Sequence, residues 1–258
     1  MNVTELKRSQ LEDVARHRDL LKKTSHLRWV FFEITNRCNL NCRHCGSSCS
    51  STGDSLTVGD VETVLDSIRL PDKPMICLTG GEPLLHPDFF EIAECVRSRG
   101  FSWGMTTNAT LIDEAVAMKL RGAGMGTVSV SLDGLEDTHD TLRQGKGSWR
   151  LAMRGIRALQ KAGFSPQVTS VMHRENFDEL ELLYAFLSEN DITNWRPINV
   201  EPIGRACESG DLLLTPEQFE RLISFIREKR FDRSCSMEVT FGCSHYLGVD
   251  NERMVRDH

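Results

Sequence analysis

The apolar run Trp29-Val-Phe-Phe-Glu-Ile34 leads, after a short spacer, into Cys38-Asn-Leu-Asn-Cys42-Arg-His-Cys45. A short run of aromatic and β-branched residues predicts a β-strand. The three cysteines then lie in the loop after the carboxyl end of that strand, where a parallel α/β fold builds its active face. Three thiolates at this spacing suit an iron–sulfur cluster in which one iron has no protein ligand.

Cys49 leaves other interpretations of the cysteine loop open. Cys38, Cys42, Cys45 and Cys49 could together close a structural site of four thiolates around zinc or a cluster. The cysteines could also be buried structural residues without a metal. Four of the nine cysteines fall between positions 38 and 49, and this clustering favours a metal site over a disulfide framework.

Short apolar strands and amphipathic helices alternate along the rest of the chain. The strands predicted after the first are Met75–Leu78, Phe101–Thr106, Thr127–Leu132, Phe164–Val171 and Asn194–Val200. The predicted helices are Val58–Ile68 with Thr57 as its cap, Pro87–Arg97, Ile112–Arg121, Ser148–Ala162, Phe177–Ser188 and Pro216–Arg230. Six such units predict a partial (β/α)6 barrel of the TIM type, with parallel strands inside and helices outside. The pattern alone does not distinguish this barrel from a flat doubly wound sheet.

The chain divides into three predicted regions. Residues 1–28 form an N-terminal helical segment, residues 29–232 the barrel, and residues 233–258, where the alternation stops, the beginning of a C-terminal extension. The apolar residues that define a helix face in the first region are Leu6, Leu11, Val14, Leu20 and Leu21. We expect this helix to cover the open side or the bottom of the barrel.

Bulk composition narrows the class of protein. The chain has 258 residues, of which 40% are hydrophobic and 26% charged, as in an ordinary globular protein. A net charge of −6 gives no reason to expect a nucleic-acid partner. No apolar run is long enough to span a membrane, and the charged N-terminus does not read as a signal peptide. We therefore expect a cytoplasmic protein with reduced cysteines and no membrane partner.

A second motif, Leu78-Thr-Gly-Gly-Glu-Pro83, follows the second predicted strand. Glycines let the backbone approach a ligand closely, and Glu82 offers a carboxylate suited to an amino group. Without a ligand, the segment would be a strand-to-helix turn. With the cysteine loop, it closely resembles the radical S-adenosylmethionine (radical SAM) superfamily. The resemblance implies that Cys38, Cys42 and Cys45 hold a [4Fe–4S] cluster, and that the Gly-Gly-Glu segment binds the methionine amino group of SAM.

The resemblance continues in order along the next two strands. Thr106-Thr-Asn-Ala109 is similar to a Thr-Asn-Gly segment of the family, and Ser129-Val-Ser-Leu-Asp133 to its ribose-contacting segment. The stretch from His139 to Arg143 is similar to the one whose arginine meets the methionine carboxylate, and a guanidinium can grip a carboxylate with two bonds. The residues that the resemblance assigns to SAM are Gly80, Gly81, Glu82, Asn108, Ser129, Ser131, Asp133 and Arg143. Two alternatives stay open: a surface arginine at Arg143, and a turn at Asp133-Gly134 that needs no ligand.

The implied function is that of an oxidoreductase. Family members cleave SAM reductively to a 5′-deoxyadenosyl radical, which abstracts hydrogen from the substrate. Residues 241–248 are similar to the start of a SPASM-type extension, whose bearers often modify peptides, so we expect a peptide side chain as substrate. A small molecule in cofactor biosynthesis is the alternative. An auxiliary iron–sulfur cluster is expected only where the rest of such an extension is present, because the chain ends before its remaining cysteines.

The sequence says less about the electron donor and about the residues that would act on the substrate radical. We expect a low-potential electron donor such as flavodoxin or ferredoxin. The sequence identifies no catalytic base and no radical-quenching residue. Residues that could donate hydrogen or an electron, each also explicable as structural, are Tyr184, Tyr246, Cys207 and Cys243. An orphaned cluster ligand at Cys235 or Cys243 is a further interpretation.

Overall fold

A computed structural model describes residues 27–208, 210–232 and 236–242. Its centre is one sheet of seven parallel strands, arranged in chain order from β1 to β7. The strands are β1 Trp29–Thr35, β2 Met75–Gly80, β3 Trp103–Thr107, β4 Thr127–Ser131, β5 Gln167–Met172, β6 Asn194–Asn199 and β7 Glu238–Val239. Sequential order with no pairing between β1 and β7 in this described sheet gives the open partial barrel that the β/α alternation predicts.

Helices connect successive strands, as parallel pairing requires. They are α1 Val58–Ser67, α2 Phe89–Ser98, α3 Glu114–Gly122, α4 Glu136–Arg143, α5 Ser148–Lys161, α6 Leu180–Glu189 and α7 Pro216–Phe231. Thr57 caps α1 as predicted, since its hydroxyl accepts from the Asp60 amide at 3.1 Å and Asp60 accepts from the Thr57 amide at 2.8 Å. Among the described residues, none of the helices has the length and apolar character of a membrane span.

Strand alternation separates the core from the barrel interior. Side chains on the outer face pack under the helices and include Ile34, Leu78, Trp103, Val130, Val168 and Trp195. The intervening residues face inward and are mostly small or polar, among them Thr79, Thr106, Ser131, Val171 and Ile198. The apolar core therefore lies between sheet and helices, and the interior is left for a polar ligand.

Several predicted boundaries were wrong by a few residues, for local reasons. β3 begins at Trp103 rather than Phe101, because the Phe101 amide still bonds to the Val96 carbonyl at the end of α2. β5 begins at Gln167 rather than Phe164, since Pro166 has no amide to donate. The sequence pattern did not predict α4 or the two-residue β7. The predicted N-terminal helix, Cys235 and Cys243 lie outside the described residues.

Candidate functional site

The cysteine loop borders a cavity of about 400 Å³ at the carboxyl ends of the strands. Cys38, Cys42 and Cys45 all line it. The loop is held by backbone bonds, from the Cys38 amide to the Ser50 carbonyl at 2.7 Å and from the Arg43 amide to the Leu142 carbonyl at 2.9 Å. The fold therefore brings the three thiols to the wall of one cavity, as their spacing predicts.

The segment after β6 clamps this loop from the other side. The Arg205 side chain donates to the Cys42 carbonyl from Nε and to the Cys49 carbonyl from Nη1, both at 2.8 Å, and its amide donates to the Cys45 carbonyl at 3.0 Å. Gly204 has a φ of +60°, and a Cβ there would collide with the carbonyl oxygens of Cys45 and Gly46. Glycine at position 204 lets the backbone approach the cysteine loop closely, and the guanidinium at position 205 can then bond to two of the loop's carbonyls.

Cys49 lines the same cavity and is buried. Burial raises the pKa of its thiol to about 12 and that of Cys42 to about 11, although Arg143 opposes the shift at Cys42. Both thiols are thus protonated near neutral pH when no metal is bound. Metal binding at Cys42 must release its proton, since thiolates are the ligands of iron.

Glu82 follows β2 on a turn that only glycine can make. Gly80 has a φ of +138°, and a Cβ there would collide with the Thr35 carbonyl oxygen. The Glu82 carboxylate is fully buried and accepts from the Thr107 hydroxyl and the Asn108 amide, each at 2.8 Å. Burial raises the pKa of Glu82 to about 7, against the opposing effect of these donors. This buried carboxyl group beside the cavity therefore changes its ionisation state near neutral pH.

Asp133 and Arg143 form an ion pair behind the cysteines. Nε and Nη2 of Arg143 each lie 2.7 Å from Oδ2 of Asp133, while Oδ1 accepts from the Val171 amide at 2.9 Å. Burial opposes the charge on Asp133, but Arg143 together with His44, His139 and the Val171 amide outweighs it and holds the pKa of Asp133 well below its usual range. Nη1 of Arg143 points toward the Cys42 sulfur at 3.9 Å. Arg143 is 6% exposed, so the alternative of a surface arginine is wrong.

Two histidines pack around this pair. His44 Nε2 lies 3.5 Å from Asp133 Oδ2, and His139 Nδ1 accepts from the Asp133 amide at 3.1 Å. Burial lowers the pKa of His44 to about 4 and, with Arg143 adding to it, that of His139 to about 3. Both rings are therefore neutral near pH 7, and Arg143 carries the positive charge next to the cysteines.

The structure places the residues assigned to SAM at different depths. Those that line the cavity with the cysteines are Gly80, Gly81, Asn108, Ser131 and Arg143. Glu82 and Asp133 are fully buried just behind the wall. Ser129 points inward without lining the cavity, and its hydroxyl lies 2.8 Å from that of Thr169.

Some site residues were not singled out from the sequence. Thr79, Asn199, Glu201 and Arg205 line the cavity, and Thr107 both lines it and donates to Glu82. Their signal was positional, since each lies at or just past the carboxyl end of β2, β3 or β6. Of the suggested hydrogen donors, Tyr184 packs in the outer core against Trp195 and Phe225, and Cys207 is exposed away from the cavity. Tyr246 and Cys243 lie outside the described residues.

The donor set fits the expected groups. Three thiols and one guanidinium at a single cavity suit an anionic cluster, and the adjoining hydroxyl, amide and backbone groups suit a polar cofactor. No three His, Cys, Asp or Glu side chains within the described ranges are arranged to hold a single metal ion. A [4Fe–4S] cluster makes a different demand, because its cysteines ligate separate irons.

Comparison with known proteins identifies the class. A family model described as the radical SAM superfamily matches residues 32–187, which is more than half of the chain. The chain belongs to the radical SAM superfamily, and the family implies a [4Fe–4S] cluster and SAM.

The individual proteins similar to this chain share less than a third of its residues. An AdoMet-dependent heme synthase of Methanosarcina barkeri is 31% identical over 242 residues, covering 92% of this chain and 68% of that protein. An Fe-coproporphyrin III synthase of the same organism is 29% identical, covering 78% of this chain and 51% of that protein. The crystal structure of Streptococcus suis SuiB bound to precursor peptide SuiA matches with a TM-score of 0.69 and 17% identity, covering 92% and 54%. The chain thus spans about half to two thirds of these proteins.

Proposed function

We propose that residues 29–232 form the SAM-cleaving core of an enzyme that acts on a small molecule in cofactor biosynthesis, with iron tetrapyrrole carboxylic acids as the substrate class. One observation supports the proposed cleavage of SAM. A single cavity is lined by Cys38, Cys42, Cys45 and Arg143, and Glu82 is buried directly behind its wall. The substrate class rests on similarity to the heme and Fe-coproporphyrin III synthases.

Peptide maturation, the function expected from the sequence, has less support. SuiB is seen with a peptide, but its 17% identity to this chain concerns the fold alone. The residues that resemble a SPASM-type extension lie mostly outside the described part of the chain. An auxiliary cluster and a flavodoxin or ferredoxin as electron donor stay predictions.

In this proposal the bound cluster and SAM supply the radical chemistry. The chain's own residues bind and orient them. Cys38, Cys42 and Cys45 provide thiolates, and the fixed charge of Arg143 offsets part of their negative charge. Its Nη1 is not engaged by Asp133 and faces the cavity side, where a methionine carboxylate can bind.

Asn108 and Ser131 complete the binding surface, and Glu82 is buried directly behind it. From there, ionised Glu82 would balance the methionine ammonium. Asn108 and Ser131 offer donors and acceptors to ribose hydroxyls. Asn108 is pre-oriented, since its Nδ2 donates to Asn39 Oδ1 at 2.9 Å and its Oδ1 accepts from the Thr110 amide at 2.9 Å. Side chains fixed in this way position a ligand at low entropic cost.

Anaerobic reconstitution tests the SAM-cleaving part. The wild-type protein should bind iron and sulfide and release 5′-deoxyadenosine from SAM after reduction by dithionite. Cys42→Ala should do neither, while Cys95→Ala, a buried cysteine of the outer core, should behave as wild type. A wild-type protein that carries a cluster yet forms no 5′-deoxyadenosine with any substrate would contradict the proposal.

Substrate stimulation tests the substrate class. Iron coproporphyrin III and peptides encoded near the gene should be offered separately to the reconstituted protein. We expect the porphyrin to increase 5′-deoxyadenosine formation and to be converted to a product of different mass. If a peptide is converted and the porphyrin has no effect, the result would favour peptide maturation over the proposed substrate class.

A further inference from the structure

Arg196 lies on the inner face of β6, next to the cofactor cavity. Ile198 on the same strand lines the cavity, while Trp195 is buried in the outer core, so strand alternation turns Arg196 inward. Arg196 is in register with Thr169 on β5, and Thr169 is in register with the cavity residue Ser131 on β4. The Arg196 side chain therefore reaches the barrel interior beside the cavity.

The Nε atom of Arg196 is buried and has no hydrogen-bond partner within the described residues. The stem packs on Gly242, where a Cβ would lie 2.5 Å from Cδ and 2.8 Å from Nε of Arg196. A side chain larger than glycine at position 242 would displace the guanidinium. The backbone thus makes room for a guanidinium whose Nε has no partner among the described residues.

The hydroxyl beside Arg196 on β5 does not compete for it. Thr169 is in register with Arg196, and its hydroxyl lies 2.8 Å from that of Ser129. This side chain is neutral and already paired. A buried polar group without a partner is costly, and a guanidinium is shaped to take a carboxylate through two parallel bonds.

We propose that Arg196 is the anchor for a carboxylate of the substrate. The proposal deepens the proposed function and rests on it, because iron tetrapyrrole acids carry carboxylates on a flat macrocycle. A substrate carboxylate held by Arg196 would lie inside the barrel, near the part of the cavity wall formed by Ser131 and Ile198. The anchor sets which edge of the substrate faces the cofactor cavity.

The test is binding without turnover. The probes are iron coproporphyrin III and its tetramethyl ester, titrated by visible absorbance, together with a glutamate-rich peptide labelled with a fluorophore. The variants are Arg196→Gln, which removes the charge, and Arg196→Lys, which keeps the charge but loses the planar fork. The matched control is Arg157→Gln on the exposed outer face of α5. Thermal melting checks that each variant is folded.

We expect wild type to bind the free acid more tightly than the ester. Arg196→Gln should weaken binding of the acid by roughly 10- to 100-fold and leave the ester unchanged, as expected for loss of one charge-assisted contact. Arg196→Lys should fall between, and Arg157→Gln should match wild type. If Arg196→Gln does not fold, equal affinity of wild type for acid and ester overturns the anchor by itself.

The remaining outcomes separate the two proposals. Tight porphyrin binding that is indifferent to Arg196→Gln overturns the anchor and leaves the proposed function standing. No porphyrin binding, but peptide binding that depends on Arg196, overturns the substrate class and supports the anchor. No binding of either probe that depends on Arg196 overturns the anchor.

Discussion

Arg143 and Asp133 are joined through a single oxygen: both Nε and Nη2 of Arg143 lie 2.7 Å from Oδ2 of Asp133. The pair is enclosed, with Asp133 fully buried and Arg143 nearly so. Asp133 therefore fixes the direction in which the third nitrogen, Nη1, points toward the Cys42 sulfur. An arginine held in this way acts on the cysteines as a fixed charge and not as a mobile side chain.

Breaking this pair should be costly. Asp133→Asn leaves Arg143 buried without a counter-charge, and we expect a loss of about 3–5 kcal/mol in the free energy of unfolding. Chemical denaturation of the protein without cofactors measures it. Asp137→Asn, on the exposed face of α4, is the control and should change stability little. Equal stability of the two variants would show that the pair is not the constraint that its geometry indicates.

SAM affinity should depend on pH through Glu82. Burial raises the pKa of Glu82 to about 7 in the free protein, and only the ionised form can balance the methionine ammonium. As pH falls through this value, Glu82 becomes protonated and affinity drops. Between about pH 7.5 and about pH 6 we expect the dissociation constant for SAM, measured by calorimetry, to increase roughly fivefold to tenfold.

Glu82→Gln is the control for that titration. It should bind SAM weakly and show no comparable pH dependence over the same interval. A variant that keeps the wild-type pH profile would assign the effect to another group.

Arg205 should govern how well the cysteine loop holds its cluster. Arg205→Met removes the side-chain bonds to the Cys42 and Cys49 carbonyls. We expect cluster affinity to fall by roughly 10- to 100-fold, as for other residues that orient metal ligands. Iron retention against a chelator, followed by the visible spectrum of the cluster, measures it.

Arg43 supplies the matched comparison for Arg205. It belongs to the same loop, but its guanidinium pairs with Glu175 at 2.6 Å and Asp211 at 3.3 Å on the surface. Arg43→Met should retain iron nearly as wild type, because surface ion pairs contribute little. Iron loss of the same size in both variants would argue against a specific clamp.

Cys49 and Cys42 should differ in their importance for the cluster. Both are buried at the same cavity, yet only Cys42 belongs to the Cys-x3-Cys-x2-Cys motif. We expect Cys49→Ala to build a cluster with the wild-type iron content and Cys42→Ala to build none, as measured by iron and sulfide analysis. Equal loss in both variants would favour the structural site of four thiolates.

The fold was predictable because its signal is local. Apolar residues such as Ile34, Val130 and Trp195 recur on outward-facing positions of short strands, and helices with apolar faces follow them. Helix α4 was missed because its eight residues lack an apolar stripe. Its signal is electrostatic, with Glu136 and Asp137 in the first turn and Arg143 in the last.

The site was predictable only where a motif is contiguous. The cysteine loop and the Gly-Gly-Glu turn can be read from neighbouring residues. The bonds from Thr107 to Glu82 and from Arg205 to Cys42 join residues at or beyond the ends of different strands, and no spacing in the sequence encodes them. The inward direction of Arg196 likewise needs the phase of β6, which becomes certain only when Trp195 is seen in the core.

The clamp at Arg205 also has a consequence for how the protein is made. Its bond to the Cys42 carbonyl spans 163 positions of the chain. During synthesis from the N-terminus, the cysteine loop emerges first and its clamp emerges only after β6. Closing so long a loop adds to the sequence distance that folding must bridge, which slows it. Until then the loop lacks the bonds that hold its carbonyls, so the thiols of Cys42 and Cys49, which are buried in the folded protein, are exposed in the nascent chain.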